Sequence, residues 1–178
     1  MRYLAFFISI FFLLVINLSV FGILPIRGHL PNLIFLFSLC AALGKKEFDV
    51  FFIAFFGGLW LDFFSAGFFG GQTFALLCVS LSVFLFANYM FAAELNFKTL
   101  GFSLIFAWAM FCLINWLWQL AAAKLNLAPN YLDFKLISQN FIFSLIYNLL
   151  LLYPVYLFYD FVKRRLDNYE IKSRGVIQ

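Results

Sequence analysis

The sequence predicts an all-α protein, a polytopic membrane bundle of six transmembrane helices, and three observations predict it. Of its 178 residues 66% are hydrophobic and 11% charged, with a mean hydropathy of +1.01, which is more apolar surface than a soluble domain of this length can hide. The apolar residues fall into six runs. The 12 Lys and Arg gather in short clusters between those runs, the arrangement by which a membrane protein fixes its orientation rather than that of a nucleic-acid binder.

The first span is predicted over residues 4–24, behind Arg2 and Tyr3. It lacks a small-x-small cleavage site and is long enough to cross, so it reads as a retained helix rather than a signal peptide. Asn17 is its one strongly polar side chain and is expected to face inward. Residues 25–29, with Arg27 and His29, make a tight connection. Pro31 and Asn32 then open a short second span, 31–43, where a proline loses no helical hydrogen bond. It ends at the charged turn Gly44-Lys45-Lys46-Glu47. The third span, 48–66, is followed by Gly67, Gly70 and Gly71, which mark a turn. The fourth covers 72–92. The fifth, 99–123, carries Asn115 and Gln119 four apart, with Trp116 and Trp118 as interface anchors. The sixth, 136–161, carries Asn140, Ser144 and Asn148 at intervals of four and is expected to kink at Pro154. Residues 162–178 read as a basic, solvated tail, with contact to anionic lipid as the alternative.

Orientation follows from the cations. Arg2, Lys45, Lys46, Lys98, Lys163, Arg164, Arg165, Lys172 and Arg174 fall on one side, and Arg27, Lys124 and Lys135 on the other. The positive-inside rule then puts both termini in the cytoplasm. Cys40, Cys78 and Cys112 are scattered singly in apolar runs, so they read as small core residues rather than disulfide partners or metal ligands. The 29 Phe read as a replacement for Leu at lipid-facing positions.

The stretch around which the chain is organised is Gly57-Gly58-Leu59-Trp60-Leu61-Asp62-Phe63-Phe64-Ser65. A carboxylate at the centre of a membrane helix costs about 2.5–3.5 kcal/mol on insertion scales, so Asp62 calls for a partner. Ala54, Gly58, Asp62 and Ala66 recur every four residues and make a narrow face that admits a neighbouring backbone. Arg27, on the same side by topology, is the expected partner of Asp62, in an ion pair that locks helices together; a proton or ion site is the competing reading. Asn115, Gln119, Asn140, Ser144 and Asn148 form a polar stripe expected to bond between helices rather than to line a pocket.

Catalytic chemistry finds little to use. Asp62 and Asp160 are expected at opposite surfaces and cannot form a dyad, and no helix carries two His or a phosphate loop followed by Lys, so no enzyme, metal or cofactor is expected.

The order of motifs resembles that of the rod shape-determining protein MreD family: Leu30-Pro31-Asn32-Leu33, a charged turn, then Ala54-Phe55, Gly58-Leu59-Trp60-Leu61-Asp62, Ser65 and Gly70. Asn32 stands where that family usually has Asp, and Ala54 where it has Gly. The resemblance implies a fold similar to the substrate-binding subunits of energy-coupling-factor (ECF) vitamin transporters, the S-component-like fold. It implies a non-enzymatic scaffold of the elongation machinery in the bacterial inner membrane. Its implied partners are an MreC-like protein, the MreB filament system, and a RodA-type glycan polymerase with its transpeptidase. The fold kinship leaves a vitamin-binding transporter subunit as the alternative, although only Ala5 and Ser9 offer the small-residue spacing such a subunit shows on its first span. A carrier coupled to ions or protons would rest on Asp62 alone.

Overall fold

The computed structural model describes residues 2–19, 31–44, 46–64, 69–90, 97–124 and 134–175. It is all-helical: α1 (Arg2–Ser19), α2 (Leu33–Leu43), α3 (Glu47–Phe64), α4 (Gly71–Met90), α5 (Phe97–Lys124) and α6 (Phe134–Gly175). Four helical segments, Arg2–Ser19, Gly71–Tyr89, Thr99–Ala121 and Phe143–Tyr169, are long and apolar enough to cross a membrane. Most of their exposed side chains are apolar, Leu4, Leu85, Phe102 and Leu150 among them, as a lipid solvent requires.

The other two helices differ for separate reasons. α3 has the length, but Glu47, Asp49 and Asp62 give it three acids. α2 has 11 residues, all of them buried, and at 1.5 Å per residue it spans about 17 Å, roughly half of a 30 Å hydrocarbon layer. It is apolar on every side, and such a helix belongs in the interior. α2 packs against each of the other five helices.

Aromatic rings fix the contacts around α2. Phe35 meets Trp108 and Phe111 of α5 with ring centroids 5.2 and 5.0 Å away, and Phe37 meets Phe158 and Tyr159 of α6 at 6.0 and 5.6 Å. α1 lies on the other flank, where Tyr3 and Phe7 pack on Phe52 and Phe56 of α3. The Phe-rich composition therefore serves both the core and the lipid face. Cys40 is buried, Cys78 and Cys112 are half-buried, and all three are free thiols.

Two boundaries depart from expectation. Asn32 lies outside α2 as its N-cap, its side chain accepting from the Phe35 amide at 3.0 Å, so the helix starts at Leu33 and not at Pro31. α6 does not stop at residue 161 but runs to Gly175, with Pro154 inside it. Val162 and Leu166 pack on the core, no Pro or Gly interrupts residues 162–174, and Lys and Arg are good helix formers. The first turns of the supposed tail are thus part of the bundle.

Because α2 is enclosed, its large side chains should dominate stability. Phe35→Ala is expected to cost about 3–5 kcal/mol, whereas Leu150→Ala on the lipid face should change stability by less than about 0.5 kcal/mol. Unfolding of the purified protein in detergent micelles measures both, and equal losses would contradict the central placement of α2.

Candidate functional site

Asp62 lies in the last turn of α3, and its carboxylate reaches across to the start of α4. Oδ1 accepts from the Gln72 amide at 2.9 Å, and Oδ2 accepts from the Thr73 amide at 3.0 Å and from the Thr73 hydroxyl. The first amides of any helix lack intrahelical acceptors, and a side chain at the N-cap position ordinarily supplies one. Here the residue before α4 is Gly70, at φ +93°, which has no side chain to give. Asp62 provides the cap from the neighbouring helix, and its charge also complements the positive end of the α4 dipole.

Gly58 makes that reach possible. One turn before Asp62 on the same face of α3, a Cβ at residue 58 would stand 2.4 Å from Thr73 Cα and 3.1 Å from Thr73 N. These are backbone atoms that cannot swing aside. The adjacent Gly57 faces α2 in the same way, with Ile34 Cγ2 2.6 Å from where a Cβ would be. Ala54 is fully buried. Gly58 and Asp62, four apart, thus form the seam between α3 and α4, helices in extensive contact, with Ala54 buried one turn earlier. Behind the seam, Trp118 of α5 covers Gly71 and stacks on Phe74 at 5.6 Å.

Arg27, expected to pair with Asp62, lies outside the described residues, as do Ser65 and Ala66. Among the described residues, the carboxylate meets backbone and hydroxyl donors of α4. The expected polar stripe is dispersed. Asn115 donates to the Phe111 carbonyl of its own helix at 2.9 Å. Gln119 is exposed, Ser144 is half-buried, and the side chain of Asn140 falls outside the described residues. Asn148 is buried and turned to α2, its Oδ1 accepting from the Asn32 amide at 3.0 Å. Among the described residues, none of the five bonds to another across α5 and α6. Pro31 is buried beside this contact, so the Pro-Asn opening of α2 is held from α6.

The opposite end of the bundle carries a second polar cluster. Arg2 grips the buried Asp49 with a fork of two donors, Nε to Oδ1 at 2.9 Å and Nη2 to Oδ2. Its Nη1 reaches Asp167 Oδ1 at 3.2 Å, and Lys46 Nζ reaches the same oxygen at 2.7 Å. Lys163 Nζ donates to the Gly44 carbonyl at 3.3 Å. The start of α1, the α2–α3 turn and the far part of α6 are clasped together, and the two-point geometry is one that arginine forms and lysine cannot. Asp49 and Asp167 were not among the residues the sequence singled out. The available signal was an acid close to each cation cluster expected on one side: Asp49 beside Lys45 and Lys46, Asp167 beside Lys163, Arg164 and Arg165. Among the described residues, no group of His, Cys, Asp and Glu could hold a metal ion. Asp160 is paired with Arg164 of its own helix at 2.7 Å. The chemistry on view holds helix ends in place.

Both clusters can be tested by substitution. Asp62→Ala and Gly58→Ala should each lower stability by about 1–3 kcal/mol. Exchanging Asp62 with Arg27 should not restore it, because arginine accepts no hydrogen bond; recovery of folded protein by that exchange would show the pair to matter more than the cap. At the other end, Arg2→Gln leaves a buried carboxylate without its fork and should cost about 3–5 kcal/mol. The Arg2→Gln/Asp49→Asn double variant should cost clearly less than the sum of the two singles in a double-mutant cycle of detergent unfolding.

Compared with family models, curated proteins and solved structures, the chain matches none.

Proposed function

We propose that this protein is a non-enzymatic integral membrane scaffold of the bacterial rod, or elongation, complex, a member of the MreD type that serves cell-shape determination and lateral peptidoglycan synthesis. The observation that carries this reading is the use made of Gly58 and Asp62. The two residues most specific to the MreD-like motif both act on Thr73, one by leaving room and one by capping. An intramembrane acid engaged in that way serves helix placement, which suits a scaffold better than a carrier. The motif resemblance supplies the partners: an MreC-like protein, the MreB filament system, and a RodA-type glycan polymerase with its transpeptidase.

The proposal includes six spans with both termini on the cytoplasmic side of the inner membrane, in an S-component-like bundle. Two observations support it. Arg2, Lys46 and Lys163 meet at one end of the bundle, as the positive-inside rule asks of cytoplasmic residues. The α3–α4 junction with Asp62 lies at the other end of α3 from Asp49. α2 and α3 would complete the count as the inner layer, with their polar ends satisfied by the two clusters.

Mild crosslinking of the tagged protein in its native membrane, followed by mass spectrometry of what co-purifies, tests the function. Recovery of an MreC-like protein and a glycan polymerase is the expected outcome. Recovery of a coupling subunit with its ATPases would replace the scaffold by a vitamin-binding transporter subunit.

A further inference from the structure

α6 presents one continuous strip away from the bundle. Leu150, Leu157 and Phe161 recur at intervals of seven and four on a single side, and Leu150 is 71% exposed and Phe161 58%. From Leu150 to Phe161 the strip is about 17 Å long at 1.5 Å per residue, close to the depth of one leaflet of a 30 Å hydrocarbon layer. The residues that follow on this side are Arg164 and Arg165.

These two cations are placed differently from the others nearby. Arg2, Lys46 and Lys163 turn toward the bundle and are engaged by Asp49, Asp167 and the Gly44 carbonyl. Arg164 is 77% exposed in its side chain and touches Asp160 through Nε alone. Arg165 holds its guanidinium over the Phe161 ring, 5.4 Å from the centroid, and is exposed. Stacking on the last ring of the strip sets the guanidinium where the hydrocarbon ends, and an arginine there presents several donors to phosphate oxygens.

We propose that Arg164 and Arg165 form a binding site for one anionic phospholipid, its phosphate held by the two guanidinium groups and an acyl chain lying along Phe161, Leu157 and Leu150. Charge and length select this occupant. The strip matches a single leaflet's chain, it is formed by the exposed apolar side chains of Leu150, Leu157 and Phe161 with Tyr153 beside them, and it ends in two outward cations; basic residues at a membrane surface attract anionic lipid. The site does not depend on the scaffold reading, since it needs only that α6 crosses the bilayer.

Native mass spectrometry of the protein released from nanodiscs of equal phosphatidylglycerol and phosphatidylcholine tests the site. The wild-type protein should retain phosphatidylglycerol preferentially, and Arg164→Gln and Arg165→Gln should each reduce that preference by about fivefold. Arg164→Lys/Arg165→Lys should keep most of it. Lys163→Gln, which removes the same charge from the inward side, should leave it unchanged. Equal retention of the two lipids by the wild-type protein would overturn the proposal. An equal loss in Lys163→Gln would do so as well, by showing that diffuse charge and not the outward pair attracts the lipid. All these substitutions lie outside the buried core, and the Lys double variant keeps the comparison available if a Gln variant is poorly folded.

Discussion

The carboxylate of Asp62 at the head of α4 is the contact on which that end of the bundle depends. Helix ends are the weak points of a protein in lipid, because no water reaches their unpaired amides. α4 begins after a glycine that cannot cap it, so the acceptor comes from the helix before. That solution fixes the separation of α3 and α4, which in turn requires glycine at position 58. α4 then packs on α2 and α5, and the Trp118 ring closes over Gly71. A single acid thus sets the spacing of α3 and α4, against which α2 also packs.

The other end uses side-chain ions for the same purpose. Arg2, Asp49, Asp167 and Lys46 bind segments far apart in sequence, from the start of α1 to the far part of α6. Between the two ends α2 has few polar groups of its own to place. Its start is capped by Asn32 and held by Asn148, and Gly44 after its last turn receives Lys163. The short helix is supported at both tips and wrapped along its length.

The helices themselves were legible because hydropathy is carried by every residue of a run. Among the described residues six helices fall on the six runs, and the close approach at Gly58 agrees with its spacing of four from Asp62. The contact of Asp62 with the head of α4 was not legible, since two of the donors described there are main-chain amides, which no letter in a sequence marks. The polar residues of α5 and α6 show a related limit: a spacing of four puts Asn148 and Ser144 on one side of a helix but does not say which helix that side meets. The length of α6 was missed because basic residues signal the end of a membrane span, whereas they do not end a helix.

The enclosure of α2 bears on how the chain is assembled. At about 17 Å this helix alone covers roughly half of a 30 Å hydrocarbon layer, and α3 brings three acids with it. While the chain emerges from the ribosome, the pair is therefore a poor substrate for one-by-one release into lipid. α2 acquires its full set of neighbours only when α6 arrives, because Phe37 and the Asn32 amide rest on that last helix. The enclosure of α2 is therefore completed only after the last helix has been made, and the early part of the chain has to await the late part.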